Sequence, residues 1–179
     1  MPLTAFLTPW LGPACRHIPV DAPFGVVDFR YAGRSSFNRW NRRGEPTLYL
    51  ASDRAVAIAE FARHLRDDND PAVGRHAITR RLFDLQVRLD AILDLRDPDV
   101  CAALALSGAP ACFLDVEIAR ATADYVRRTT PAQALLVPSM AFLDDPHRWV
   151  MVLLLEKLPD DPSLFLPSVT VDGVFGVEP

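Results

Sequence analysis

Apolar positions change their period several times along the chain, and each change marks an element. From Arg75 to Leu95, Phe83, Leu85, Val87 and Leu89 alternate with polar residues, which predicts a long strand. Upstream, Ala55, Ile58, Ala59, Phe61, Ala62 and Leu65 gather on one face at helical spacing. Ser52 or Asp53 offers the N-cap of that helix, which runs to about Arg66 and ends in the solvated cluster Asp67-Asp68-Asn69-Asp70-Pro71. Thr47 to Ala51 (TLYLA) has the β-propensity of a short strand. Asp97-Pro98-Asp99 is a helix start before Val100 to Leu106, closed by Gly108, and a further helix spans about Leu114 to Arg128. Phe24 to Arg30, Ala134 to Val137, His147 to Lys157 and Leu164 to Val177 read as strands. Gly33 to Pro46 reads as an irregular loop, and the Pro-rich ends, Pro2 to Pro13 and Pro159 to Pro179, as surface wrapping. Strands and helices follow one another without βαβ alternation, so the expected class is α+β.

The chain has 179 residues, half of them apolar, which predicts one domain over 1–179 with a core that needs no staple. Its 19 basic and 23 acidic residues leave a net charge of −4, which argues against a protein that coats nucleic acid. Cys15, Cys101 and Cys112 are odd in number and lack a C-x-x-C pair, so a disulfide framework is not expected and a reducing cytoplasm suits the chain. His17, His64, His76 and His147 are scattered without metal-ligand spacing, so no metal site is expected. The longest apolar run, Trp149 to Leu155, falls far short of the ~18–20 residues that cross a bilayer, and no targeting segment is seen, so neither membrane nor export is expected.

Phosphate-loop, dinucleotide-fold and nucleophile-elbow motifs are absent, which removes nucleoside triphosphatases, ordinary dehydrogenases and α/β-hydrolases as first choices. What stands out is a local positive island. Arg30, Arg34, Arg39, Arg42 and Arg43 occur without any acidic neighbour between them, interleaved with Tyr31, Phe37 and Trp40. Converging guanidinium groups grip a pyrophosphate through charge-assisted hydrogen bonds, and aromatic faces stack on a ring. The alternative, a solvated loop with one Arg paired to the Asp67–Asp70 cluster, stays open on the residues alone. Tyr49, in the TLYLA strand, is ordinarily a core position. Glu60 points away from the Ile58/Phe61/Leu65 face, which permits either a cleft-facing carboxylate or a surface Glu paired with Arg63 or His64.

Taken together, the string F-R-Y-A-G-R…R-W-N-R-R-G-E-P-T-L-Y-L-A-S-D…A-I-A-E from Phe29 to Glu60, with L-V-P-S from Leu136 to Ser139, resembles the RES domain family. That family is named for Arg, Glu and Ser positions, which the resemblance places on Arg30 or Arg39, Glu60 and Ser139. RES proteins are typically the toxins of bacterial toxin–antitoxin pairs, encoded with an antitoxin that bears an Xre-type helix-turn-helix domain. The resemblance implies an ADP-ribosyltransferase-like fold of mixed and antiparallel strands with a few helices. It also implies an activity on NAD, either cleaving the nicotinamide–ribose bond with water or phosphate as acceptor or passing ADP-ribose to a cellular protein. A nucleic-acid-binding module built on the Arg and aromatic loop is a third reading, and the acidic net charge counts against it. No cofactor is expected beyond NAD as substrate. A homodimer or a hetero-oligomer with the antitoxin is left open.

The roles implied for individual residues follow the chemistry of glycosidic cleavage, which passes through an oxocarbenium-like state. Nicotinamide leaves as a neutral molecule, so the reaction needs negative charge near the sugar cation and a grip on the rest of the dinucleotide. Glu60 would supply the charge, Arg30 and Arg39 would hold the pyrophosphate, and Tyr31 and Tyr49 would bracket the nicotinamide or ribose. Ser139 would hydrogen-bond Glu60 or the amide, or fix a turn, while Trp40 and Asn41 would scaffold the loop. Transferases that modify arginine commonly carry a second Glu two residues before the catalytic one; here Ile58 occupies that place, which favours a small acceptor.

Overall fold

A computed structural model describes residues 1–67 and 79–176. Six strands form one mixed sheet: β1 (Thr8–Pro19), β2 (Thr47–Ala51), β3 (Thr79–Asp94), β4 (Ala134–Pro138), β5 (Trp149–Leu154) and β6 (Ser168–Gly176). Among the described residues, three α-helices accompany them: α1 (Arg54–Asp67), α2 (Pro98–Ala103) and α3 (Val116–Thr129). The α+β class therefore holds.

The pairings close on themselves. β1 runs antiparallel to β3 from Thr8↔Ile92 to Pro19↔Arg80, and β3 passes to β4 in parallel at Ile92 to Asp94. From β4 the ladder continues antiparallel through β5 and β2, and β2 returns to β1 at the single pair Cys15↔Ala51. β6 extends β3 on its other edge. Side chains alternate across the strands, so each layer has two faces to cover. Leu48, Leu50, Leu85, Val87, Leu136, Met151 and Leu153 fill the space between the layers, joined by Phe165 and Leu166. On the outer face of β4 and β5, Leu135, Val137 and Val152 meet Ala119, Ala123 and Val126 of α3. Helix α1 sets Val56, Ala57 and Phe61 against Cys15, Leu82 and Phe175.

Local signals account for the helix starts. Asp53 accepts from the Val56 N–H at 3.1 Å, Asp97 from Asp99 at 2.8 Å, and Asp115 from Glu117 at 2.8 Å. Each satisfies an N–H that the first turn leaves without a partner. The short helix after Asp97 ends sooner than the sequence pattern predicts, because Ala105 and Gly108 both take positive φ. β5 stops at Leu154 and a 3-10 turn covers Leu155–Lys157, and β6 starts only at Ser168 after another 3-10 turn. Arg75 to Ile78 and Asp68 to Pro71, which the pattern assigns to the long strand and the acidic loop, lie outside the described residues.

Two expectations are corrected. Phe24 to Arg30 is not a strand: Asp28 N bonds Gly25 O and Ala32 N bonds Phe29 O, a pair of turns. Its apolar residues mark burial and not a ladder, since Val26 is 5% exposed and Phe29 packs near Phe165. From Thr8 on, the N-terminal segment is no wrapping but the long strand β1, preceded by a 3-10 turn at Leu3–Phe6. Its prolines are tolerated because one edge of β1 is open except at Cys15↔Ala51, and Pro belongs on such edges.

Candidate active site

Above the β1–β2 junction, between α1 and the 31–40 loop, lies a cleft of about 590 Å³. That volume falls within the ~300–1,000 Å³ range of small-molecule sites. The loop that forms one wall is pinned from several sides. Gly33 closes its base with φ +74°, where any Cβ would sit 2.0 Å from the Glu45 carbonyl oxygen. Only glycine can be there. Arg120 of α3 donates to the carbonyls of Ser36 (2.7 Å) and Asn38 (2.8 and 3.1 Å). Trp40 is 2% exposed, with its ring centroid 4.9 Å from that of Phe113, and Asn41 is fully buried.

Tyr49 joins strand to loop. Its Oη donates to Asn41 Oδ1 at 2.7 Å and accepts from the Trp40 N–H at 3.1 Å, while the residue lines the cleft. Burial pushes the phenol well above its ordinary value, so it stays protonated. Its hydroxyl is thus committed to the loop, and its ring is what the cleft can use.

Opposite stands Glu60, in the middle of α1. Ser139 Oγ, fully buried at the end of β4, donates to Glu60 Oε1 at 2.6 Å, and the Ala141 N–H reaches the same oxygen at 3.1 Å. Arg63 Nε lies 4.0 Å from Oε2. The helix that carries Glu60 is anchored at its start, where Asp53 receives two 2.8 Å bonds from Arg148 Nη1. The carboxylate is therefore fixed by one oxygen and about a quarter exposed, at 26%. Among the described residues that line the cleft, Glu60 is the sole carboxylate, facing five arginines.

Those arginines are only in part the ones the sequence singled out: Arg34 and Arg39 are among them, Arg30, Arg42 and Arg43 are not. Arg39 does line the cleft, with Nη1 on the carbonyls of Phe113 (2.7 Å) and Leu114 (2.8 Å). Tyr31 lines it too, under Arg34, whose Cζ is 4.7 Å from the ring centroid. Arg30 does not. Its side chain is 72% exposed and doubly bonded to Asp28, two residues back, and it is absent from the cleft wall. In its stead Arg16 of β1 and Arg80 of β3 enter from the sheet. Burial draws both down to about 10.

A family comparison now has a geometry to meet: the RES domain model matches residues 15–169. The chain belongs to the RES domain family. The match begins one residue before Arg16, so the family's extent includes this arginine as well as Glu60 and Ser139. A chain in the crystal structure of the M. tuberculosis MbcT–MbcA toxin–antitoxin complex has a similar fold, with a TM-score of 0.68. It is 18% identical, and the alignment covers 98% of this RES chain and 89% of that one. No curated protein matches. Sequence reasoning missed Arg16, His17 and Arg80 of the RES cleft. The signal that could have found them is the apolar, β-branched setting of R-H-I and the alternation after Thr79, which place charged side chains on strands that are otherwise core.

Proposed function

We propose that this chain is the NAD-consuming toxin of a toxin–antitoxin pair, breaking the nicotinamide–ribose bond in the cleft between Glu60 and Tyr49. The observation that carries the reading is the single carboxylate, held by Ser139 and Ala141, facing a cation-lined cavity. In the reaction the N–C bond breaks, its electron pair returns to the pyridinium nitrogen, and nicotinamide departs neutral. The oxocarbenium ion left on the ribose is stabilised by the Glu60 carboxylate. Because Oε1 is engaged by two donors, Oε2 is the oxygen left to accept from a ribose hydroxyl. A preorganised charge of this kind stabilises a developing cation without reorienting at the moment of reaction.

Arg16 and Arg39 hold the pyrophosphate, and Tyr31 and the ring of Tyr49 cover the nicotinamide or ribose. Arg30 drops out of this set. The acceptor is water or phosphate, whose oxygen adds to the ribose carbon and then loses its proton. Ile58 packs against the apolar cluster beneath α1, so no second carboxylate stands there to activate a protein arginine. The fold is read as ADP-ribosyltransferase-like, from the ring of strands with the carboxylate on the adjoining helix. The partner is an Xre-type helix-turn-helix antitoxin that covers the cleft, a reading supported by the toxin–antitoxin assembly of the structural neighbour.

The test is chromatography of NAD after incubation with the purified chain, with and without phosphate. Free nicotinamide with ADP-ribose or its 1-phosphate is expected. Intact NAD over folded protein would end the proposal, and label passing from NAD to a discrete protein band would move it to transfer. Growth arrest on expression, relieved by the neighbouring gene, is the expected result in cells.

A further inference from the structure

We infer that Phe37 and Asn38 form an adenine subsite in the cleft, the ring stacking on the base and the side-chain amide reading its edge. This deepens the proposed function and rests on it only for the dinucleotide that carries the base. Both residues line the cleft, on the loop wall that faces Glu60. Phe37 is 45% exposed, has no ring partner among the described residues and joins none of the three apolar clusters. Asn38 gives only its backbone carbonyl, to Arg120; among the described residues nothing bonds its side-chain amide. The backbone around the two is nonetheless held. Arg120 Nη2 donates to the Ser36 carbonyl at 2.7 Å and to the Asn38 carbonyl at 2.8 Å, on either side of Phe37. The Phe37 N–H donates to Ser35 Oγ at 3.1 Å.

Ordering a loop costs conformational entropy, and here neither a core contact of the ring nor a bond of the amide offsets it. What the pinned backbone achieves is to set two uncommitted side chains in place before a ligand arrives, which lowers the ordering cost of binding. Their chemistry names the ligand. An open aromatic face stacks on any base. An amide presents a donor (Nδ2) and an acceptor (Oδ1) side by side, the complement of the N7 acceptor and N6 amine on the edge of adenine. Their position selects the adenine end of the dinucleotide. In the proposed reaction the nicotinamide ribose sits at Glu60 and Arg39 holds the pyrophosphate. Asn38 and Phe37 directly precede Arg39, so the base beyond the phosphates is the group they meet.

Titration calorimetry on the full chain, with AMP, IMP and nicotinamide mononucleotide as separate probes, tests this. AMP is expected to bind. IMP carries an oxygen in place of the 6-amine, so it offers the amide two acceptors and should bind roughly tenfold more weakly. Phe37→Ala should weaken AMP and IMP alike by about tenfold, the scale of one lost stacking contact, with Phe37→Trp near wild type. Asn38→Ala should weaken AMP by about tenfold and IMP far less, so that the preference between the two bases disappears. Neither alanine variant should change the affinity for nicotinamide mononucleotide. A wild type that does not bind AMP, or folded Phe37→Ala and Asn38→Ala proteins that bind AMP as wild type does, would overturn the inference while leaving nicotinamide release untouched. Loss of nicotinamide mononucleotide as large as the loss of AMP would overturn the assignment to the adenine end. AMP binding that depends on both residues, in a protein that leaves NAD intact, would uphold the subsite and dismiss the proposed reaction.

Discussion

Replacing Tyr49 with Phe removes one oxygen and leaves the ring that lines the cleft. That oxygen joins two buried groups: it donates to Asn41 Oδ1 at 2.7 Å and accepts from the Trp40 N–H at 3.1 Å. Asn41 is 0% exposed and Trp40 2%, so water has no ready access to either once the phenol is gone. Each buried group left without a partner costs about 1–3 kcal/mol, so the pair should cost about 2–4 kcal/mol after partial relaxation. For a chain of 179 residues this lowers the melting temperature by roughly 4–16 °C. The assay is urea unfolding of wild type and variant side by side, read as a lower midpoint at unchanged slope. Because Gly33 and Arg120 still hold the loop, NAD binding should weaken through loop mobility and not through a lost substrate contact. A midpoint shift equivalent to less than ~0.5 kcal/mol, within the range of an ordinary surface change, would refute the claim that this hydroxyl staples the loop to β2.

Three further predictions follow from the same geometry. Ser139→Ala frees Glu60 Oε1 from its 2.6 Å bond and should lower kcat for NAD cleavage about tenfold or more with KM little changed, measured by steady-state kinetics. His17, drawn from 6.5 to about 3, makes the folded chain refuse a proton that the unfolded chain accepts. Its contribution is complete above pH 6.5 and is lost as pH falls toward 3; between pH 6.5 and 5 that amounts to about 2 kcal/mol. Chemical unfolding at both pH values should show that loss in wild type and a smaller one in His17→Asn. Gly33→Ala would force a Cβ to within 2.0 Å of the Glu45 carbonyl oxygen, so the loop must rearrange, and a thermal melt should fall by several degrees.

Much of the frame was legible because its signals are local. The cap at Asp53 and the TLYLA strand depend on neighbours in sequence, and each formed as the pattern implies; the buried face of α1 is shifted from the expected one, to Val56, Ala57 and Phe61 with Ala55 exposed. Glu60 and Ser139 met because α1 follows β2 directly and β4 ends beside it; their order in the chain hinted at this, but only the closed ladder brings them to 2.6 Å. The arginines were illegible for the opposite reason. Five guanidinium groups in one loop look alike in sequence, and their directions are set by distant or chance partners: Asp28 for Arg30, the Phe113 and Leu114 carbonyls for Arg39, Glu117 for Arg42. β1 was hidden by its prolines, whose acceptability depends on an open edge that no short window reveals. Arg16 and Arg80 were hidden with it, since their place on the cleft wall depends on how β1 and β3 sit in the sheet.

The most direct measurement is nicotinamide release from NAD by wild type and Glu60→Gln, both verified as folded and followed in the same buffer with phosphate present. The variant keeps the size and one acceptor of the side chain and loses its charge and its second acceptor, so release should fall by ~100-fold or more, the scale of a removed preorganised electrostatic contact. Equal release by the two proteins would contradict the assignment of the carboxylate, and none from wild type would contradict the activity itself.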